Sequence, residues 1–311
     1  MLFPPCTFTA PAKVNLGLRI VGRREDGYHR LWSVMSFFPL YDHLTFTADQ
    51  SAITLRCEPS VTDHAHDNLV WQAAWRLQQE SGIRSGVHIH LHKAIPHGAG
   101  LGGGSSDAAL TLLALNQLWQ LHWSQEQLLA LGVQLGADVP FFLGQTTALA
   151  EGIGEQLTFL PSLPQLPLLL IYPGCTLSTA QVFRQWHSER AAGEAYNTPP
   201  LAIPTAKEAL VQQLHNDLQA TAIKLQPEIA LLDAALRRHG ALAALMSGSG
   251  SAFFGIFRQL EEAKEAARSL RTRHPDWQIF PGVTFNQHPF SSAWESAIKG
   301  AVANGWAVAK R

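Results

Sequence analysis

Apolar and polar positions alternate with a period of two from Thr7 to Val21, around Lys13, Asn15 and Arg19. That period predicts a half-buried strand. RREDGYHRL breaks the pattern, with Asp26-Gly27 as a turn signal. Residues 33–39, 43–47 and 52–56 read as further strands. The period then changes: Val70, Ala73, Ala74 and Leu77 fall at i, i+3, i+4 and i+7, a helix face that Asp67 or Asn68 caps. GVHIHLH returns to strict alternation, with Val87, Ile89 and Leu91 on one face and His88, His90 and His92 on the other. Gly98, Gly100, Gly102, Gly103 and Gly104 crowd the next stretch, before Ser105, Ser106, Asp107 and a long apolar run.

SQEQ at 124–127 is a capping box for a helix that Gly136 stops. Asp138-Val139-Pro140 begins a new short element, and residues 146–160 are strand-like around a turn. PSLPQLP at 161–167 marks a domain boundary, which divides the chain into 1–160, 161–285 and a tail, 286–311. The second part opens with a buried strand at 166–173, then a helix starting near Ser178 or Thr179, then a loop at 196–204. Pro227 begins a helix through His239, stopped by Gly240. Two apolar strands flank a Gly-Ser turn in 241–257, and an amphipathic helix (260–274) and a last strand (277–285) follow. Strand, helix, hairpin, helix, strand predicts a ferredoxin-like α+β layer. Trp294, Ile298 and Val302 place a helical stripe in the tail.

Composition narrows the function classes. At 311 residues the chain is long enough for two modest domains, and 46% hydrophobic with 15% charged content suits a soluble globular protein. A formal net charge of −1 without a basic run argues against nucleic acid or an anionic membrane as partner. Cys6, Cys57 and Cys175 have neither disulfide nor zinc spacing, and the N-terminus has no signal-peptide pattern, so a cytoplasmic location is expected.

The glycine block carries the first chemistry. A strand, a glycine loop and a helix start turn backbone N–H groups into a concavity with partial positive charge, which suits phosphate. The plainer alternative is a flexible loop whose Ser105, Ser106 or Asp107 caps the helix. No Gly-Lys-[Ser/Thr] follows, so the block is not a Walker A motif. His88, His90 and His92 share a strand face, but no fourth zinc ligand is evident; a solvent-facing strand is favoured and no metal ligand is assigned.

Three blocks, PAKVNLGLRIVGRREDGYH (11–29), PHGAGLGGGSSDAA (96–109) and MSGSGSAFFG (246–255), together resemble the GHMP small-molecule kinases, over about residues 7–284. LGADVPFF and AEGIGE strengthen the match, and DGYH resembles the branch whose acceptor is a cytidine diphosphate-linked methylerythritol. The resemblance implies a two-domain α+β fold, with a ribosomal-S5-like N-terminal domain, a ferredoxin-like C-terminal domain and a site between them. It implies transfer of the γ-phosphoryl group of ATP, with Mg²⁺, to the 2-hydroxyl of that small-molecule acceptor, by a monomer or weak homodimer. Asp138 takes the general base position and Lys13 the cationic partner, with Asn15 on the substrate. Tyr28 and His29 match the cytidine-recognising pair, with Phe183 as second stacking surface and Thr179 beside it. ATP falls to Pro96, Gly98, Gly100, Leu101, Gly102, Gly103, Gly104, Ser105 and Ser106, with Asn68 and Lys93 near the adenine and Gly248 and Gly250 packing on the loop. By residue type alone, Asp138 and Asn68 are equally helix caps, Lys13 a solvent lysine and Phe183 a core aromatic. Rival readings are a kinase for homoserine, mevalonate or a sugar, an RNA-binding module, and an inactive nucleotide binder.

Overall fold

The opening alternation becomes β1 (Cys6–Arg23), paired antiparallel along its length with β2 (His29–Asp49). The computed structural model describes residues 5–160, 162–191, 194–200 and 202–288. The strands predicted at 33–39 and 43–47 are one. Ala12 faces Phe38 while Pro11 faces Tyr41, so Pro39 and Leu40 bulge out of the ladder without ending it. A proline has no N–H to donate, and a bulge is where a sheet tolerates one.

β3 (Ile53–Glu58) and β4 (Gly86–His92) flank α1 (Leu69–Ser81), and α2 (Gly103–Leu118), α3 (Gln125–Leu135) and α4 (Val139–Gly144) follow. The hairpin β5 (Ala148–Gly152) and β6 (Gln156–Phe159) completes a six-stranded sheet, ordered β3-β4-β2-β5-β6 with β1 on β2. β4 pairs with residues 43–49 of β2 and β5 with residues 31–35. In the stretch between, Phe37 bridges to Phe285, from the far end of the chain. On β4 the alternation is realised: Val87, Ile89 and Leu91 join a core with Val70, Ala73, Ala74 and Leu77 of α1. His88 and His90 face outward against Asp49 and Glu58.

The second half is β7 (Pro167–Tyr172), α5 (Thr179–Ser188), α6 (Lys207–Gln213), α7 (Gln219–Leu225), α8 (Ala230–Arg238), β8 (Ala243–Met246), β9 (Phe253–Ile256), α9 (Leu260–Arg273) and β10 (Gln278–Val283). Its sheet runs β10-β7-β9-β8, all antiparallel, the ferredoxin-like order. The sequence pattern does not reveal α6 and α7. Each has seven residues and no side-chain cap, too short for a helical period to register. The helix expected from Pro227 is a 3-10 turn that leads into α8.

The halves share apolar contacts. Ala12, Val14 and Leu16 of β1 pack in one cluster with Leu168, Leu170 and Phe254, and Leu18 and Ile20 join Val182 and Leu218 in another. After β10 the chain returns to the first half, where Asn286 O accepts from Thr147 N at 2.9 Å. The tail helix, like all of 289–311, lies outside the described residues. Among the described residues no helix is long and apolar enough to cross a membrane.

Candidate active site

A cavity of about 420 Å³ lies between the halves, lined by β1, the glycine loop, Asp138, α5 and the β8–β9 turn. Its floor is built from β1. Lys13 and Asn15 sit two apart, hence on one face, and both are buried. The Lys13 ammonium donates to Asn15 Oδ1 at 2.5 Å and stands 3.5 Å from Asp138 Oδ2. Asn15 Nδ2 donates to Ser33 Oγ at 2.8 Å, and that hydroxyl donates to Gly17 O at 2.7 Å. This relay orients the amide so that its oxygen faces the lysine.

Asp138 occupies the N-cap position of α4, but its side chain makes no capping hydrogen bond. The cap alternative therefore fails: the carboxylate, 34% exposed, turns to the cavity and to Lys13.

The glycine loop is held at several points. Leu101 O accepts from Lys13 N at 2.9 Å, Ala99 O from Ala252 N at 3.1 Å, and Gly100 O from Ser247 Oγ at 3.0 Å. Of the consecutive glycines, Gly102 takes the left-handed conformation, φ +69°. A Cβ there would stand 3.0 Å from Lys13 Cγ and from the Phe142 ring. Gly102, not a serine, precedes the first residue of α2, so the capping roles considered for Ser105, Ser106 and Asp107 are not realised. Opposite, Gly248 (φ +58°) leaves the space into which Asn15 Oδ1 and Lys13 Nζ reach.

Lys13, Asn15, Pro96, Gly98, Gly100, Leu101, Gly102, Gly103, Gly104, Ser105, Asp138, Thr179, Phe183 and Gly248 all line this cavity. Thr179 Oγ1 lies 2.7 Å from Ser249 Oγ, joining α5 to the β8–β9 turn. Phe183 stacks at 5.5 Å on His29, which meets Trp186 edge-on. Burial and the nearby His187, Arg23 and Arg190 hold the His29 pKa below the usual histidine value, and its Nε2 is buried without a hydrogen-bond partner.

Other expected site residues sit elsewhere. Tyr28 is 63% exposed and does not line the cavity. Asn68 caps α1, its Oδ1 accepting from Val70 N at 3.0 Å, so its cap alternative is the one realised. Lys93 lines the cavity wall, and its ammonium is held by Asp42 and Asp107. Ser106 is buried inside α2, and Gly250 shapes the β8–β9 turn, its N–H donating to Ser247 O at 3.0 Å. Residues not singled out from sequence also line the wall: Ser33, His97, Ile153, Gly154 and Ser249. AEGIGE was the one signal for the glycine turn at 153–154. Nothing local marks Ser33, whose place depends on strand pairing.

The comparisons agree with this architecture. Residues 68–145 match the GHMP kinases N terminal domain and residues 202–276 the GHMP kinases C terminal domain. A 4-diphosphocytidyl-2-C-methyl-D-erythritol kinase of Nitrosomonas eutropha is 44% identical, covering 92% of this chain and 99% of its own. One from Syntrophus aciditrophicus is 41% identical over 87% and 96%. A crystal structure of 4-(cytidine 5'-diphospho)-2C-methyl-D-erythritol kinase superposes with a TM-score of 0.76 at 39% identity, covering 89% of this chain and 98% of that one. The mevalonate kinase of Methanococcus jannaschii, at 15% identity and a TM-score of 0.68, shares the fold. A cleft built from β1, a glycine loop and an Asp-Val-Pro helix start, with relatives this similar along nearly their whole length, means that the chain belongs to the GHMP kinase family, among the proteins named 4-diphosphocytidyl-2-C-methyl-D-erythritol kinase.

Proposed function

We propose that this chain transfers the γ-phosphoryl group of ATP to the 2-hydroxyl of 4-diphosphocytidyl-2-C-methyl-D-erythritol, releasing ADP. The observation that carries this reading is the Lys13–Asp138 pair facing the same cavity as the glycine loop. The loop fits a polyphosphate. Its glycines leave out side chains that would fill the cradle, and the first N–H groups of α2 lie at a helix start, where anions are favoured. Asp138 accepts the hydroxyl proton as its oxygen attacks the γ-phosphorus and the bond to the β-phosphate oxygen breaks. Lys13, 3.5 Å from Asp138 Oδ2, offsets negative charge on the transferred group. Phe183 offers the cytosine a stacking face, and His29, neutral near pH 7, keeps a ring nitrogen able to accept a hydrogen bond.

Magnesium arrives with the nucleotide. Among the described residues no group of three or more His, Cys, Asp or Glu is arranged for a metal, so the phosphate oxygens of the nucleotide would hold it. It would neutralise phosphate charge. The reading goes with a monomer or weak homodimer working in the cytoplasm. The test is ³¹P-detected product formation from ATP and the cytidyl acceptor, beside the acceptor without cytidine, homoserine and mevalonate. Turnover of the cytidyl acceptor alone is expected. Preference for any of the others would overturn the assignment.

A further inference from the structure

A buried charge cluster beneath the glycine loop has a shape that the phosphoryl-transfer reading does not use. Asp42, fully buried on β2, stands one residue before the β2–β4 ladder begins at His43. Beyond His92 the chain leaves that ladder, and Asp42 takes over as acceptor: its Oδ1 receives Ala94 N at 2.6 Å and Ile95 N at 2.8 Å. Its Oδ2 receives the Lys93 ammonium at 2.5 Å. The same ammonium donates to Asp107 Oδ2 at 2.7 Å, on the second turn of α2, and lies 3.2 Å from where a Gly103 Cβ would stand. One lysine thus joins the chain entering the loop to the helix leaving it.

The two carboxylates are not equivalent. Asp42 accepts three hydrogen bonds, two of them from backbone. Asp107 accepts one, and its Oδ1 is buried with no partner. Two buried carboxylates facing one ammonium do not both ionise cheaply, and the better-solvated one keeps the charge. We propose that Asp42 is a positioning residue for ATP, carrying the negative charge of a buried Asp42–Lys93–Asp107 link that fixes both ends of the phosphate loop, with Asp107 held as the neutral acid. Burial pushes the Asp107 carboxyl up to about 8, with the Lys93 charge opposing and the Asp42 charge adding. The other titratable group felt at this cluster is the Cys57 thiol, itself pushed up by burial. A neutral Asp107 leaves no uncompensated negative charge at the start of α2, where phosphates are to approach.

The proposal rests on ATP phosphates lying on this loop. The test is calorimetry of a non-hydrolysable ATP analogue and of CDP, on Asp42→Asn and Asp107→Asn, with thermal melts. Asp42→Asn turns an amide N–H₂ toward a buried ammonium or leaves the backbone donors unmet. It should weaken the ATP analogue at least about tenfold more than Asp107→Asn does, with CDP affinity following wild type. Equal losses in the two variants, or equal loss of ATP analogue and CDP in Asp42→Asn, would overturn the positioning role. If Asp42→Asn does not fold, Asp42→Asn/Lys93→Met removes charge and counter-charge together. Its melting temperature should recover while ATP affinity does not; recovery of both would make the cluster structural only. At neutral pH the infrared difference between wild type and Asp107→Asn should carry a protonated-carboxyl C=O band, and its absence would overturn the neutral acid. A wild-type protein that fails to bind the ATP analogue would instead refute the phosphate-loop reading.

Discussion

Alanine at Gly100 and at Gly104 should have effects of opposite sign, although both glycines belong to one loop. Gly100 has φ +79°, and a Cβ built on it would stand 2.1 Å from Ser247 O and 3.2 Å from Gly250 N. The left-handed conformation costs a non-glycine residue roughly 1–2 kcal/mol. Overpacking adds about 1–3 kcal/mol where the neighbour can yield. Here the neighbour is backbone held on several sides. Ser247 N donates to Ala252 O at 2.9 Å, Ser247 O accepts from Gly250 N at 3.0 Å, and Ser247 Oγ donates to Gly100 O at 3.0 Å. Gly100→Ala should therefore lose about 2–5 kcal/mol of stability or force the two loops apart. Gly104 lies inside α2, and its Cβ would meet only Leu69 Cδ1, at an ordinary 3.7 Å. Gly104→Ala should gain roughly 0.4–1 kcal/mol by narrowing the unfolded ensemble. Thermal and urea unfolding of the ligand-free variants reads both. A Gly100→Ala protein as stable as Gly104→Ala would refute the claim that backbone contact between the two loops sets the shape of the site.

Asp138→Asn should keep the fold and lower kcat by about 10²–10⁴ with KM for ATP little changed; a folded variant with wild-type kcat would remove the base role. Phe183→Ala should weaken CDP roughly 5- to 150-fold, from about 1–3 kcal/mol of stacking, and spare the ATP analogue. Tyr28→Ala should be milder than Phe183→Ala, because Tyr28 projects into solvent; the reverse order in CDP calorimetry would mean that the site closes over Tyr28. Burial lowers the His288 pKa to about 3. Its folded value lies below the unfolded one, so its contribution to stability is present above about pH 6.5 and is lost as pH falls below it, because the unfolded chain then binds the proton more readily. His288→Gln should flatten the fall in melting temperature between about pH 7 and 5; an unchanged slope would place the acid sensitivity elsewhere.

Local periodicity was enough for much of the fold, because a strand or helix that buries one face writes that face into the sequence. The β4 alternation, the Ser124–Gln127 capping box and the Gly136 stop all stand where the pattern puts them. The glycine block and Asp138-Val139-Pro140 were legible for a similar reason: unusual backbone geometry restricts the residues that can adopt it. Short elements carried too few turns to show a period, and the pattern assigns nothing over 205–226, where α6 and α7 form. The bulge at Pro39 and Leu40 read as a strand break, since only pairing with β1 reveals that the strand continues past it. Side-chain partners were decided wholly by tertiary contact. Nothing in the sequence around Lys93 announces Asp42, 51 residues away, or says that the lysine bonds two buried carboxylates. Asp138 and Asn68 stood equal as cap or ligand by residue type; the structure gives Asn68 a backbone N–H to accept and Asp138 none, turning it to Lys13 instead. A residue type fixes which bonds a side chain can make, and only the packed chain fixes which partners are in reach.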